Sequence, residues 1–222
     1  MSDNNLTWHP CMQMKAFEKN PPLELKTAKG PWIYLKDDRK IFDAISSWWC
    51  KSLGHNNPKI KDAIKNQMEN FEHVIFANTN YDVIRNLSER LTNLSPCFNH
   101  VFFTGDGACS VEVALKMSIQ AMQIRGFSNK KEFLSLENSY HGDTSGALSV
   151  SDVGKFKEPF KPLTFKSHQL KDLPYVTGKE DPLWNDINDL WPRYLNQLEP
   201  LKDKLAAIIV EPIVQGAGGI KI

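Results

Sequence analysis

Cysteine is scarce and scattered in this chain: Cys11, Cys50, Cys97 and Cys109 form no CxxC pair and have no histidine at zinc-ligand spacing. That pattern argues against a structural zinc module and for free thiols in a reducing compartment. An excess of one charge is also lacking, since 27 Lys and Arg face 26 Asp and Glu for a net charge of +1. Neither nucleic acid nor an anionic membrane finds an electrostatic footprint here. No apolar run approaches the roughly 18 residues of a membrane span. The polar opening Met1-Ser2-Asp3-Asn4-Asn5 has no apolar core of the signal-peptide kind. Internal repeats and low-complexity segments are missing too. The expectation is a soluble, cytoplasmic protein with no metal site.

What is present is ordinary for a globular chain, with 41% apolar and 24% charged residues over 222 positions. The most informative stretch runs from Val101 to Met117. An apolar, strand-like run, Val101-Phe102-Phe103, enters the turn Thr104-Gly105-Asp106-Gly107-Ala108. A helical pattern leaves it, with Val111, Leu115, Ile119 and Met122 on one face. The turn therefore sits at a helix N-terminus, where free N–H groups and the positive end of the dipole favour an anion. An anion seat and a plain strand-to-helix turn are both compatible with these residues. A P-loop is excluded because no Lys-Ser/Thr follows Gly107, and a dinucleotide fingerprint because Ser110 replaces its third glycine.

Around this stretch, Trp32–Leu35 and residues 41–45 read as strands joined by the turn Lys36-Asp37-Asp38-Arg39, giving a small β-rich N-terminal region. The adjacent Trp48 and Trp49 cannot share one strand face, so two readings stand: at least one indole faces a cavity or a partner, or both are core and interface. Asn57 and Pro58 open a helix whose inward face is Ile60, Ala63, Ile64, Met68 and Phe71. A second helix is expected from about Asp82 to Leu94, with Ile84, Leu87 and Leu91 inward and Ser95-Pro96 as its stop.

Gly126 suits a helix C-cap, and Lys131–Leu136 reads as a strand leading into Ser139-Tyr140-His141-Gly142-Asp143-Thr144. Such a mixture of aromatic, imidazole, carboxylate and hydroxyl groups after a strand is where α/β proteins gather binding residues. Residues 151–186 lack periodicity and read as a long surface connection. Ile187, Leu190, Trp191, Tyr194, Leu195 and Leu198 predict a helix that begins near Pro192 or bends there. Residues 205–210 predict a buried parallel strand ending in Glu211-Pro212 and a Gly-rich turn. Strands alternating with helices after about residue 56 indicate an α/β domain with a mainly parallel sheet.

Five motifs in order resemble the class III aminotransferases: Trp8-His9-Pro10, Ser46-Ser47-Trp48-Trp49, residues 111–117, Tyr140-His141-Gly142-Asp143-Thr144, and residues 211–219. The resemblance implies an α/β fold of the fold-type I, pyridoxal-phosphate-dependent transferase kind. Residues 1–55 would be a segment of its small domain and 56–222 the first part of its cofactor-binding large domain. Gly107 and Ala108 would offer N–H groups to the phosphate of pyridoxal 5'-phosphate, and Tyr140 would stack on its ring. His141 and Gly142 would shape the same wall, with Glu211 in a supporting network. Trp48, Trp49, Tyr140 and Asp143 would bind substrate.

Within the family, the chain is most similar to members of biotin biosynthesis that aminate 8-amino-7-oxononanoate with S-adenosylmethionine as donor, acting as homodimers. An ω-aminotransferase of the same class is the alternative. Two positions depart from the family pattern. Ala108 takes the place of a hydroxyl residue, and Cys11 stands where many members carry tyrosine. The resemblance also implies that the Schiff-base lysine and the acid beneath the pyridine nitrogen lie beyond Ile222, since Lys116 and Lys221 match no family lysine. A non-catalytic product is the reading that follows if no such segment exists.

Overall fold

The computed structural model describes residues 6–186 and 188–221, with the side chains of Ile220 and Lys221 left out of the description. The polar opening 1–5, Ile187 of the expected helix face and Ile222 lie outside the described residues. The chain divides into two compact units, Met1–Leu87 and Ser88–Ile222.

The first unit is built on an antiparallel meander of β1 (Leu25–Lys29), β2 (Trp32–Leu35) and β3 (Lys40–Phe42). Its register sets Trp32 opposite Phe42 and Ile33 opposite Ile41. The two rings of the first pair meet edge to face at 5.2 Å, and the Lys40 ammonium lies 3.8 Å above the Trp32 ring. Cross-strand aromatic and cation–π contacts of this kind fix the register of a short sheet. Leu35 is the fully buried anchor beneath it. The single turn α1 (Ser46–Trp49) follows, then α2 (Pro58–Met68), where Asn57 caps the helix by accepting the Lys59 N–H at 3.0 Å.

The helix α3 (Asp82–Leu94) stops before Ser95-Pro96 as expected. The apolar faces of α2 and α3 are not buried, however. Ile64 is 56% exposed and Met68 64%, and Leu87 and Leu91 are exposed as well. Periodicity specifies which side of a helix is apolar, but the covering surface must come from elsewhere, and none of the described residues supplies it.

In the second unit, α4 (Gly107–Ile124) precedes a parallel sheet of order β5-β4-β6. The strands are β4 (Glu132–Leu136), β5 (His168–Leu170) and β6 (Leu205–Ile208). Central β4 is buried from Phe133 through Leu136, which explains the run of apolar and small residues there. Leu115 of α4 packs with Phe133, Val150 and Ala206, and Val111, Ile119 and Met122 flank that core. The helical face read from spacing is the face that packs.

Three expectations need correction. Residues 101–104 enter none of the ladders, because an apolar run becomes a strand only when a neighbour pairs with it. The connection 151–186 contains β5, a three-residue strand too short to show periodicity. In β6 only Ala206 is buried, while Ile208 is half exposed at the sheet's edge. The short helix α5 (Ser145–Ser149) fills the β4–β5 crossover, and α6 (Trp191–Leu198) carries Pro192 in its first turn, where no N–H is missed. A two-stranded ribbon, β7 (Val214–Gln215) and β8 (Ile220–Lys221), follows β6. Among the described residues no helix is long and apolar enough to cross a membrane.

Candidate active site

The second unit brings three segments together beyond the carboxyl ends of β4 and β6: the N-terminus of α4, the loop 138–144 and the loop 211–216. The first is organised by Asp106, whose extended backbone and carboxylate form the N-cap. Its side chain accepts the Cys109 N–H at 2.8 Å, and its carbonyl accepts the Ser110 N–H at 3.1 Å. Hydrogen bonding from Cys109, and in smaller part from the Ala108 N–H, holds the Asp106 carboxyl below its ordinary pKa. Gly107 and Ala108 supply the first two N–H groups of the helix, which have no carbonyl one turn earlier to accept them. A side chain at Gly107 would meet nothing within 4 Å, so the backbone there is open to a ligand.

The second segment lies directly on the first. Gly142 has φ +130, and a Cβ there would stand 2.5 Å from the Ala108 Cβ and 2.9 Å from its Cα. Only glycine permits both that backbone and that approach. The neighbouring Gly146 rests on the Glu112 carboxylate, which accepts the N–H groups of Gly146 at 2.7 Å and Ala147 at 3.4 Å. The Thr144 hydroxyl faces the same carboxylate without closing a hydrogen bond of normal geometry. It is nonetheless the first influence keeping Glu112 below its ordinary pKa, ahead of the two amides. A single acid from α4 thus anchors the first turn of α5.

The third segment is tied in by Glu211. One carboxylate oxygen accepts the Tyr140 N–H at 2.7 Å and the other accepts the Gly216 N–H at 2.9 Å. The charge at the end of β6 therefore has partners on two loops, which is how a partly buried carboxylate is tolerated. Tyr140 donates its hydroxyl proton to Asp143 at 2.9 Å, which fixes the ring's orientation. The His141 N–H donates to Ser151 Oγ at 2.8 Å, and that hydroxyl donates to the Ala147 carbonyl at 2.8 Å. Burial holds the His141 imidazole below the usual histidine pKa, opposed by the Glu211 carboxylate, so the ring is neutral at neutral pH. Its Nε2 is shielded from solvent and has no hydrogen-bond partner among the described residues. An orphaned ring nitrogen on the loop that closes onto the α4 N-terminus, with open space at Gly107 and a tyrosine in the same loop, fits a flat, hydrogen-bonding ligand that carries an anionic group.

Ala108, Tyr140, His141, Gly142, Asp143 and Glu211 are thus gathered in one unit, with Gly107 beside them. Trp48 and Trp49 belong to the first unit, where they are 68% and 70% exposed. Their backbone is unusual. Ser46, Ser47, Trp48 and Trp49 have φ of 48, 48, 54 and 69, a left-handed turn of four non-glycine residues in succession. Each such residue costs roughly 1–2 kcal/mol, and left-handed residues ordinarily occur singly. Sequence reasoning did not single out Glu112, Ser151 or Asp43. The available signal for Glu112 was an acid between Val111 and Val113, on a helix whose apolar face it borders.

Comparison with known proteins places this geometry in context. The family model described as "Aminotransferase class-III" matches residues 14–222. The adenosylmethionine-8-amino-7-oxononanoate aminotransferase of Helicobacter pylori is 38% identical over 99% of this chain and 49% of its own length. That of Buchnera aphidicola is 35% identical over 100% of this chain and 52% of its own length. Among solved structures, the enzyme of that name from Methanocaldococcus jannaschii superposes with a TM-score of 0.85 at 29% identity, over 97% of this chain and 47% of that one. An amine transaminase from an uncultivated Pseudomonas species, in its pyridoxal-phosphate-bound form, gives 0.83 at 30% identity, over 98% and 50%. The chain spans about half the length of the curated relatives it matches.

Proposed function

We propose, from the fact that the chain belongs to the class-III aminotransferases, that it forms part of an enzyme transferring an amino group to 8-amino-7-oxononanoate from S-adenosylmethionine, in biotin biosynthesis. The observation that carries the reading is the closing of the loop 138–144 onto the α4 N-terminus, through Gly142 on Ala108 and through Glu112 on α5. Names of relatives supply the substrate class.

Pyridoxal 5'-phosphate, when bound, supplies the electron sink for breaking and making bonds at the amine-bearing carbon. This chain's residues contribute binding and orientation. Gly107 and Ala108 direct N–H groups to the phosphate, where the α4 dipole adds to them. Tyr140, held by Asp143 and by Glu211, offers an aromatic face to the ring. Neutral His141 offers an uncharged polar atom to that wall. Trp48, Trp49, Tyr140 and Asp143 recognise the acceptor, the indoles favouring its hydrocarbon chain.

On this reading residues 1–55 belong to the small domain and 56–222 to the cofactor-binding domain. The active protein is a homodimer in the cytoplasm, a location in keeping with four free cysteines. The test uses the full-length protein with pyridoxal phosphate, S-adenosylmethionine and 8-amino-7-oxononanoate. Mass spectrometry is expected to detect 7,8-diaminononanoate. A folded, cofactor-loaded protein that fails to aminate this acceptor, whatever donor is offered, overturns the reading. Turnover of ω-amino acids or diamines in its place supports the alternative within the same family.

A further inference from the structure

The left-handed turn of α1 is strained at four successive residues, and such backbone persists only where its surroundings over-determine it. The determinant is Asp43. Its Oδ1 accepts the Ser47 N–H at 3.0 Å, and its Oδ2 accepts the Ser47 hydroxyl at 2.8 Å and faces His55 Nε2 at 2.7 Å. Both partners of the ion pair are sheltered, the Asp43 side chain being 7% exposed and that of His55 13%. Each is itself pinned by backbone. The Asp43 N–H donates to the Pro31 carbonyl at 2.9 Å, while His55 and Gly30 exchange N–H···O bonds of 2.8 and 3.0 Å. Gly54, at φ +78, permits this exchange, because a Cβ there would stand 3.0 Å from the Gly30 Cα. The clasp is thus built on the Gly30-Pro31 turn that joins β1 to β2. Inside the strained turn the Asp43 side chain grips Ser47, the residue before the paired indoles, while its carbonyl accepts the Ser46 N–H at 3.2 Å.

We propose that Asp43, Ser47 and His55 form a clasp that holds α1 left-handed and so fixes the direction in which Trp48 and Trp49 are presented. Asp43 and His55 are positioning residues: they act on the acceptor only through the indoles. The specificity consequence rests on the function proposed above, whereas the clasp itself does not. With the clasp open, the turn relaxes toward right-handed backbone and the two indoles leave their places, even though Trp48 and Trp49 are unchanged.

The experiment uses the full-length protein labelled with 5-fluorotryptophan, the signals of Trp48 and Trp49 being assigned by replacing each with Phe. Asp43→Ala and Asp43→Asn are expected to shift or broaden those two fluorine resonances and leave the remaining tryptophan resonances in place. In the cofactor-loaded enzyme the same variants are expected to raise KM for the keto-acid acceptor by about tenfold, with kcat changed by less than about twofold. Adding Ser47→Gly to Asp43→Ala should recover much of both signals, since glycine adopts positive φ without a clasp.

Fluorine spectra unchanged in both Asp43 variants overturn the proposal, as does a uniform shift of every tryptophan resonance or failure of the glycine to rescue. If Asp43→Ala does not fold, Asp43→Asn and Ser47→Ala carry the same comparison. A protein with no activity toward the acceptor, but with the expected fluorine shifts, would remove the substrate assignment and leave the clasp standing.

Discussion

Gly142 is the residue on which the candidate site turns, and its substitution has two costs that add. Alanine would bring its Cβ to 2.5 Å from the Ala108 side chain and hold a backbone at φ +130 that side chains rarely adopt. Strain and overpacking together amount to about 2–4 kcal/mol. The Gly142→Ala chain is therefore expected to unfold at lower denaturant and, where it remains folded, to bind pyridoxal phosphate more weakly. Denaturant midpoints and a spectroscopic cofactor titration measure the two effects separately.

Glu112 gives a prediction in pH. Its carboxyl is held below the ordinary value of 4.5, first by the Thr144 hydroxyl and then by the Gly146 and Ala147 amides, with burial opposing them. A depressed folded-state pKa stabilises above the unfolded value and loses that contribution as pH falls through the folded one. Stability of the second unit should thus decline below about pH 4.5, and Glu112→Gln should flatten that decline while lowering stability at pH 7. Urea midpoints taken between neutral and acid pH decide it, and parallel curves for the two proteins would count against the assignment.

At the scale of elements, the parts set by local chemistry are the parts the sequence made legible. Asn57 with Pro58 specified the start of α2, Ser95-Pro96 the end of α3, and Gly126 the end of α4, because caps and breakers act within one turn. Asn57→Ala should therefore cost about 1 kcal/mol, read as a lower thermal midpoint of the first unit and lower helicity. Strand pairing was less legible. The apolar run 101–103 has strand composition but lies outside the ladders, and His168–Leu170 pairs with β4 although three residues show no period. The same limit applied to the site. Tyr140, His141 and Glu211 stood out as polar groups after strands, which fold class alone predicts. Asp43, Glu112 and Ser151 did not, because each works through a contact with a residue distant in sequence or through another side chain.

At the scale of the whole molecule, the distribution of apolar surface separates a covered core from uncovered helix faces. The second unit has a true core around Leu115, Phe133, Val150 and Ala206, whereas α2 in the first unit buries none of its residues. Its stripe includes Ile60 at 44% exposure, Ile64 at 56% and Met68 at 64%. An apolar stripe in water binds other apolar surface, because each buried methylene is worth about 0.8 kcal/mol. Residues 1–222 prepared by themselves are thus expected to bind an apolar fluorescent dye and to self-associate as concentration rises. Met68→Lys and Ile64→Lys should weaken both effects while changing the stability of the first unit by less than about 0.5 kcal/mol, as for exposed positions generally. Dye titration, light scattering and denaturation together make the test. If either lysine variant unfolds the unit, then Ile64 and Met68 are packed in solution, and the helix faces are core after all.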